Sequence, residues 1–317
     1  MGLERTCMKK IALLMATYNG GAFIEAQLDS LLGQTMEDWQ LVVRDDRSDD
    51  DTVGKIRSYA AKDKRILLQN DDSGRLGASR SYFKLLEHGF RQADYFMFCD
   101  QDDVWLPDKI EVTLLKMREM EKRFNPRTPL LVHTDLSVAD RNLRVLAPSL
   151  WASQKLDPAI VGLNRLLIQN NITGCTMMIN RPLVALAAPP APVIMHDWWL
   201  ALVASAFGAI GHVPRSTMVY RQHGANDTGA KRYDYRYIAH KVTRGRKEMH
   251  ASLAKTWQQA CVMRDRFAAE LDPEQLFLLN RYCSIGEKNF FMRRILVLRL
   301  RTYKNGFFRN MGMMAAL

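Results

Sequence analysis

The sequence lacks any apolar run long enough to cross a bilayer. Its longest, "WWLALVASAFGAIG" at 198–211, has 14 residues, where a span needs about 20. A buried core helix is expected there instead. Cysteine is scarce: Cys7, Cys99, Cys175, Cys261 and Cys283 are scattered, odd in number and form no C-x-x-C pair. This argues against a disulfide framework or a zinc site and fits a reducing cytoplasm. "MGLERTCMKK" leads directly into a strand-like run, so no secretory signal is expected. Acidic residues are scarce in one region only. Residues 1–230 hold 27 Lys+Arg and 27 Asp+Glu, whereas 231–317 hold 18 and 7. The whole net charge of +11 therefore belongs to the last 87 residues. An anionic partner is implied at that end: membrane lipid, a phosphorylated carrier or nucleic acid.

What is present is an ordinary globular composition, 47% hydrophobic and 25% charged over 317 residues. Ile11–Ala16 is an unbroken apolar run, the mark of a strand buried on both faces. "TYNGG" is a turn, and Phe23, Ile24, Gln27, Leu28, Leu31 and Leu32 recur at helical spacing. The alternation continues through "WQLVVRDD", "VGKIRSYAAK", "RILLQN", "LGASRSYFKLLEHGF" and "YFMFCD". Strand–helix alternation predicts a mostly parallel α/β sheet flanked by helices. Beyond it, "KIEVTLLKMREMEKRF" predicts a helix and "LLVHTDLSVAD" a strand. "NNITGCTMMINRPLVALA" predicts a turn, a short strand and a helix opening at Pro182. A proline-rich loop should lead into a helix at "HDWWLAL", and "HVPRSTMVYRQHGAND" reads as a strand with a polar turn. From about 231 the sequence is basic and helical, with "LDPEQLFLLNRYC" and "NFFMRRILVLRLRTYKNGFF" as amphipathic helices. The expected division is a catalytic domain at 1–230 and a basic helical region at 231–317.

Three strands end in polar clusters: "TYNGG", "RDDRSDDD" and "CDQDDVW". In parallel α/β sheets ligands bind beyond the strands' carboxyl ends. Asp100, Asp102 and Asp103 are a natural clamp for hard Mg²⁺ or Mn²⁺ carrying a diphosphate, or else a solvated acidic turn. Asp46 can accept from the ring N–H of a uracil or thymine, and Thr17 and Asn19 can reach base or ribose. Ser48 to Thr52 read as turn and capping chemistry. Arg75, Gly77 and Arg80 precede a helix, where an arginine could neutralise diphosphate or serve as a surface cation. Asp197, beside Trp198 and Trp199, should have a raised pKa and suit a proton acceptor, while also capping its helix. The tryptophans could stack on a sugar. His223 gains a role only if the fold brings it beside the Asp100–Asp102 motif.

The order "ALLMATYNGG", "VVRDDRSDDDT", "GRLGASRS", "FCDQDDVWLPDKI", "NITGCTMMINR", "MHDWWLAL" and "YRQHGAND" resembles the family 2 glycosyltransferases with a GT-A fold. It is most similar to their bacterial rhamnosyltransferase-like branch, over roughly residues 9–230. The resemblance implies a Rossmann-like GT-A domain and an inverting, metal-dependent transferase acting on a nucleotide-diphospho-sugar. Carried over by position, Thr17, Tyr18, Asn19, Asp46, Arg75, Gly77, Arg80, Asp100, Gln101 and Asp102 would bind the donor. Asp102, Asp100, Asp103 and His223 would serve Mg²⁺ or Mn²⁺. Gly174, Trp198 and Trp199 would line the acceptor side, with Asp197 as base. Arg47 stands where the family usually has Gly, and Arg75 where Asn is common. The expected reaction moves rhamnose from dTDP-rhamnose onto a surface polysaccharide or lipopolysaccharide precursor. The alternatives are UDP-linked galactose, glucose or N-acetylhexosamine, or a nucleotide-sugar binder without catalysis. The expected location is cytoplasmic and peripheral at the inner face of the membrane, the basic end meeting anionic lipid or a lipid-linked acceptor. Nucleic acid is not expected, because acidic strand ends repel phosphate unless metal is present.

Overall fold

The computed structural model describes residues 10–89, 93–187, 193–223 and 246–317. The proline-rich loop at 188–192, the turn after His223 and the expected boundary at 230/231 lie outside the described residues. The first half alternates as predicted: β1 (Ile11–Thr17), α1 (Ile24–Leu32), β2 (Trp39–Asp45), α2 (Thr52–Lys62), β3 (Ile66–Gln69), α3 (Ala78–Gly89) and β4 (Tyr95–Cys99). Then come β5 (Val104–Trp105), α4 (Lys109–Glu121), β6 (Leu130–Ala139), β7 (Val145–Ala147), α5 (Leu150–Gln154), α6 (Leu163–Leu166), β8 (Met177–Asn180), α7 (Arg181–Leu186), α8 (His196–Phe207) and β9 (Ala209–Arg221). Four helices follow: α9 (Arg246–Phe267), α10 (Pro273–Cys283), α11 (Phe290–Arg299) and α12 (Phe307–Ala316).

The sheet order is β3-β2-β1-β4-β8-β6-β9-β5, with β7 on β6. β3, β2, β1 and β4 are parallel, so their carboxyl ends share one rim. β8 runs antiparallel between β4 and β6, and β9 returns parallel to β6. The second half is therefore mixed. Side chains alternate across the strands. Ala12, Leu14, Val42, Phe96 and Phe98 enter one core; Ile11, Leu13, Met15, Val43 and Met97 enter the other. Burial on both faces is why β1 and β4 read as continuous apolar runs.

The C-terminal helices share the first of these cores. Leu253, Ala260, Phe267, Leu279 and Tyr282 pack with Trp199 to Ala204 of α8. The Tyr282 hydroxyl donates to the Leu167 carbonyl at 3.2 Å and lies 2.9 Å from Thr256 Oγ1. The predicted helix across "NFFMRRILVLRLRTYKNGFF" is broken into α11 and α12. Arg301 and Gly306 take positive φ, 53° and 86°, which end one helix and redirect the chain.

Trp199 is fully buried and faces Phe267 at 6.2 Å between ring centroids. Trp199→Ala is expected to cost about 3–5 kcal/mol by urea unfolding. A loss below about 1 kcal/mol would show that this shared core contributes little.

Candidate active site

The rim begins at the end of β1. Thr17 Oγ1 donates to Asp45 at 2.8 Å, and Asp45 also accepts from the amide and hydroxyl of Ser48. The Tyr18 backbone and the Gln101 carboxamide exchange two hydrogen bonds of 2.9 Å, locking the turn after β1 to the turn after β4. A Cβ at Gly20 would lie 2.2 Å from Gln101 Oε1, so glycine is needed for that approach. Asn19 takes φ 47°, donates its N–H to Ser48 Oγ and accepts from the Asp49 amide.

Asp46 is buried, and both its oxygens are engaged. One accepts from Arg44 Nη1 at 2.7 Å and Leu76 N at 2.6 Å, the other from Gly77 N at 2.7 Å. Burial pushes its carboxyl up, but the Leu76 amide, the Arg44 guanidinium and the Gly77 amide outweigh this and hold it below the usual range. Arg44, itself 1% exposed, also binds Asp71, Ser81 and the Gly74 carbonyl. This cluster shapes the loop in which Gly74 and Gly77 take φ 70° and 79°. The loop sets the Arg75 guanidinium 3.9 Å from the Tyr18 ring centroid. Arg80 is exposed at the start of α3.

At the end of β4, Asp100 accepts from the Tyr82 hydroxyl at 2.7 Å. Asp102 Oδ2 lies 2.7 Å from His223 Nε2, although 121 residues separate them. The imidazole stacks on Phe23 at 4.4 Å. Arg221, the last residue of β9, donates to the Asp102 carbonyl at 2.9 Å and through its amide to Asp103 at 3.3 Å. Asp103 is fully buried and its Oδ2 has no hydrogen-bond partner. Burial, with the charges of Asp100 and Asp102, pushes its carboxyl well above the usual range. Single donor atoms of Asp100, Asp103 and Cys175 lie within 4.8 Å of one another. A buried carboxylate oxygen without a donor, beside two further acids, fits a hard divalent cation.

Asp197 sits in the first turn of α8, beside Gly174. Its oxygens accept from Gly174 N at 3.1 Å and from Trp198 N at 2.5 Å. Burial pushes the carboxyl up to about 7; the two amides oppose this, and the Asp100 charge adds to it. Asp197 is thus electrically coupled to Asp100 at the end of β4. A Cβ on Gly174 would fall 2.9 Å from His196 Nε2. Trp198 is half-buried and donates from its indole to the Leu166 carbonyl at 2.6 Å. Trp199, expected on the acceptor side, lies in the core with its indole N–H on the Ala187 carbonyl. Adjacent residues on a helix point about 100° apart, so only one of the two tryptophans stays near the rim.

Arg44, Tyr82, Phe23, Cys175 and Arg221 organise the site without having been singled out in the sequence. Tyr82 and Phe23 fall in or beside helical apolar patterns, and Arg44 lies inside a strand, so none carries a functional signature.

The fold is shared with GT-A glycosyltransferases. The crystal structure of S. aureus TarS 1–349 in complex with UDP-GlcNAc superposes with a TM-score of 0.59 at 14% identity, covering 97% of this chain and 79% of that one. The model of glycosyl transferase family 2 matches residues 12–125. The putative teichuronic acid biosynthesis glycosyltransferase TuaG of Bacillus subtilis is 30% identical over 206 residues, 63% of this chain and 75% of that protein. The dTDP-rhamnosyl transferase RfbG of Shigella flexneri is 26% identical over 228 residues, 68% of this chain and 74% of that protein. The chain belongs to glycosyl transferase family 2.

Arg44→Ala would leave Asp46 and Asp71 without their counter-charge. It is expected to cost about 3–5 kcal/mol in urea unfolding. An unchanged midpoint would contradict the organising role given to this arginine.

Proposed function

We propose that the protein is an inverting glycosyltransferase that moves a sugar from a nucleotide-diphospho-sugar to a hydroxyl of a surface polysaccharide or lipopolysaccharide precursor. Rhamnose from dTDP-rhamnose is the first donor to test, a choice supported by the similarity to RfbG. The observation that carries the reading is Asp197, a carboxylate held at the start of α8 by the Gly174 and Trp198 amides, with burial and the Asp100 charge pushing it up to about 7. A base at this value is ionised enough at neutral pH to accept a proton and strong enough to take one from an attacking hydroxyl.

In this reading the rim at Thr17, Tyr18 and Asn19, with the loop shaped by Asp46, receives the nucleoside. Arg75, beside Gly77 and stacked on Tyr18, turns its charge to the diphosphate, with Arg80 on the following helix. Gln101 holds the two turns together. Asp100 and Asp103 would hold Mg²⁺ or Mn²⁺, with Cys175 within reach of the same point, and the Asp102–His223 pair would add its ligands to that cation. That cation supplies neutralisation of the charge left on the departing diphosphate. Asp197 takes the acceptor proton while the acceptor oxygen attacks the anomeric carbon from the face opposite the leaving group, and one such displacement inverts configuration. The Gly174 amide keeps the Asp197 carboxylate oriented, and Trp198 borders the acceptor. Residues 1–230 form the catalytic unit, and the basic region beyond meets the inner face of the cell membrane, where a lipid-linked acceptor is presented.

With a panel of dTDP-, UDP- and GDP-sugars, turnover should favour the dTDP-linked deoxyhexose. Equal turnover of all donors would remove that choice. The kcat/KM should fall below pH 7 as Asp197 protonates, by about tenfold one unit below its pKa. Asp197→Asn should abolish this limb and lower kcat by about 10²–10⁴-fold while donor binding persists; full turnover in the variant would show that Asp197 is not the base. Stability carries the opposite sign. The folded carboxyl binds its proton more tightly than the same carboxyl does in the unfolded chain, so stability falls as pH rises from about 4 to about 7. Asp197→Asn should therefore melt higher than the parent at pH 8, and a lower melting temperature would contradict the burial argument.

A further inference from the structure

The C-terminal helices carry a surface that the site does not use. On α11 and α12, Phe290, Phe291, Leu298, Phe307, Phe308 and Met311 are 50–73% exposed. Phe290 packs edge-on against Phe291, and Phe307 against Phe308. The opposite sides of these helices are buried through Leu296, Val297 and Met313, so the exposed rings lie on a fold-bearing element. Residues 288–317 hold seven Lys+Arg and no Asp or Glu. Exposed aromatic rings set among cations, with no acid, match a surface offering both hydrocarbon and negative charge. Not every cation is available to it. Arg293 turns inward, donating to the Lys288 and Gly286 carbonyls. Arg299 and Arg301 are exposed. Among the described residues no helix is long and apolar enough to cross a membrane.

The same helices are fastened to the acceptor side of the site. Asn164 and Arg165 of α6 donate to the carbonyls of Arg301 and Tyr303 in the connection between α11 and α12, at 3.1 and 2.7 Å. The next residue but one to Asn164, Leu166, accepts from the Trp198 indole beside Asp197. One short segment thus joins the aromatic surface to the base.

The geometry points to an anionic bilayer surface as the partner of α11 and α12, with the four phenylalanines entering the headgroup boundary and Arg299 and Arg301 facing lipid phosphate. The surface lies flat on the membrane and presents the Asp197 side of the rim to a lipid-borne acceptor; this last point rests on the transferase reading, the lipid contact does not. Each buried ring adds apolar area, and each arginine near the surface adds attraction to anionic headgroups.

Co-sedimentation of the full chain with phosphatidylglycerol-rich vesicles and with pure phosphatidylcholine vesicles tests it. The protein should bind the anionic vesicles and bind the neutral ones at least about tenfold more weakly. Replacing Phe290, Phe291, Phe307 and Phe308 by Ser should lower binding by at least about tenfold. These rings are exposed, so circular dichroism and the melting temperature should be unchanged. Arg299→Gln with Arg301→Gln should narrow the preference for anionic vesicles. Asp197→Asn should bind vesicles like the parent, which separates failure of the surface from failure of the catalytic reading. Equal binding to both vesicle types, undiminished binding by the Phe variant, or a dimer that the Phe variant converts to monomer would each overturn the proposal.

Discussion

Mutual repulsion among carboxylates at one rim of the sheet is the constraint around which this site is arranged. Asp100 acts electrically on Asp103 and on Asp197, and burial strengthens each of these interactions. The fold answers with ordered donors and with the Arg221 guanidinium, whose charge interacts with Asp102 and Asp103. Tyr82 serves Asp100, the imidazole of His223 meets Asp102, the Arg221 amide reaches Asp103, and the Gly174 amide holds Asp197. The buried Lys109 interacts electrically with Asp103, and burial lowers it to about 8. An incompletely compensated negative pocket results, suited to a cation that arrives with its anionic ligand.

Two halves of the chain must meet for this to work. The parallel half brings the ends of β1, β2 and β4 to one edge, because both faces of those strands are covered by helices. The mixed half returns β9 so that Arg221 and His223 close on the turn after β4. Phe23, from the turn after β1, supplies the ring on which His223 rests. The C-terminal helices cover the α8 face, so the helix bearing Asp197 is fixed from behind by α9 and α10.

Much of this was legible in the sequence, for identifiable reasons. Strands buried on both faces leave unbroken apolar runs, and the polar clusters at their ends follow from strand polarity in a parallel sheet. β5 and β7, of two and three residues, leave no periodic trace. The break between α11 and α12 was hidden because apolar and basic residues continue across it, and only the glycine before Phe307 marks it. His223 could be tied to Asp102 only conditionally, since 121 residues separate them. At a strand end Asp46 suggests a partner for a base, whereas its oxygens are filled by Arg44 and two loop amides. A buried arginine inside a strand gives no pattern that would have announced this. Trp198 and Trp199 look equivalent in a string, but helical geometry sends one of them into the core.

The proposed cation role of Asp102 and His223, beyond the 2.7 Å contact between them, is open to direct test. Mn²⁺ titration in the presence of a nucleoside diphosphate, followed by paramagnetic resonance, tests it most directly. The account predicts that the parent protein binds Mn²⁺, that His223 ring signals broaden on binding, and that Asp102→Asn weakens the ion by at least about tenfold with the fold intact. Equal Mn²⁺ affinity in the parent and the variant, with sharp His223 signals in both, would contradict it.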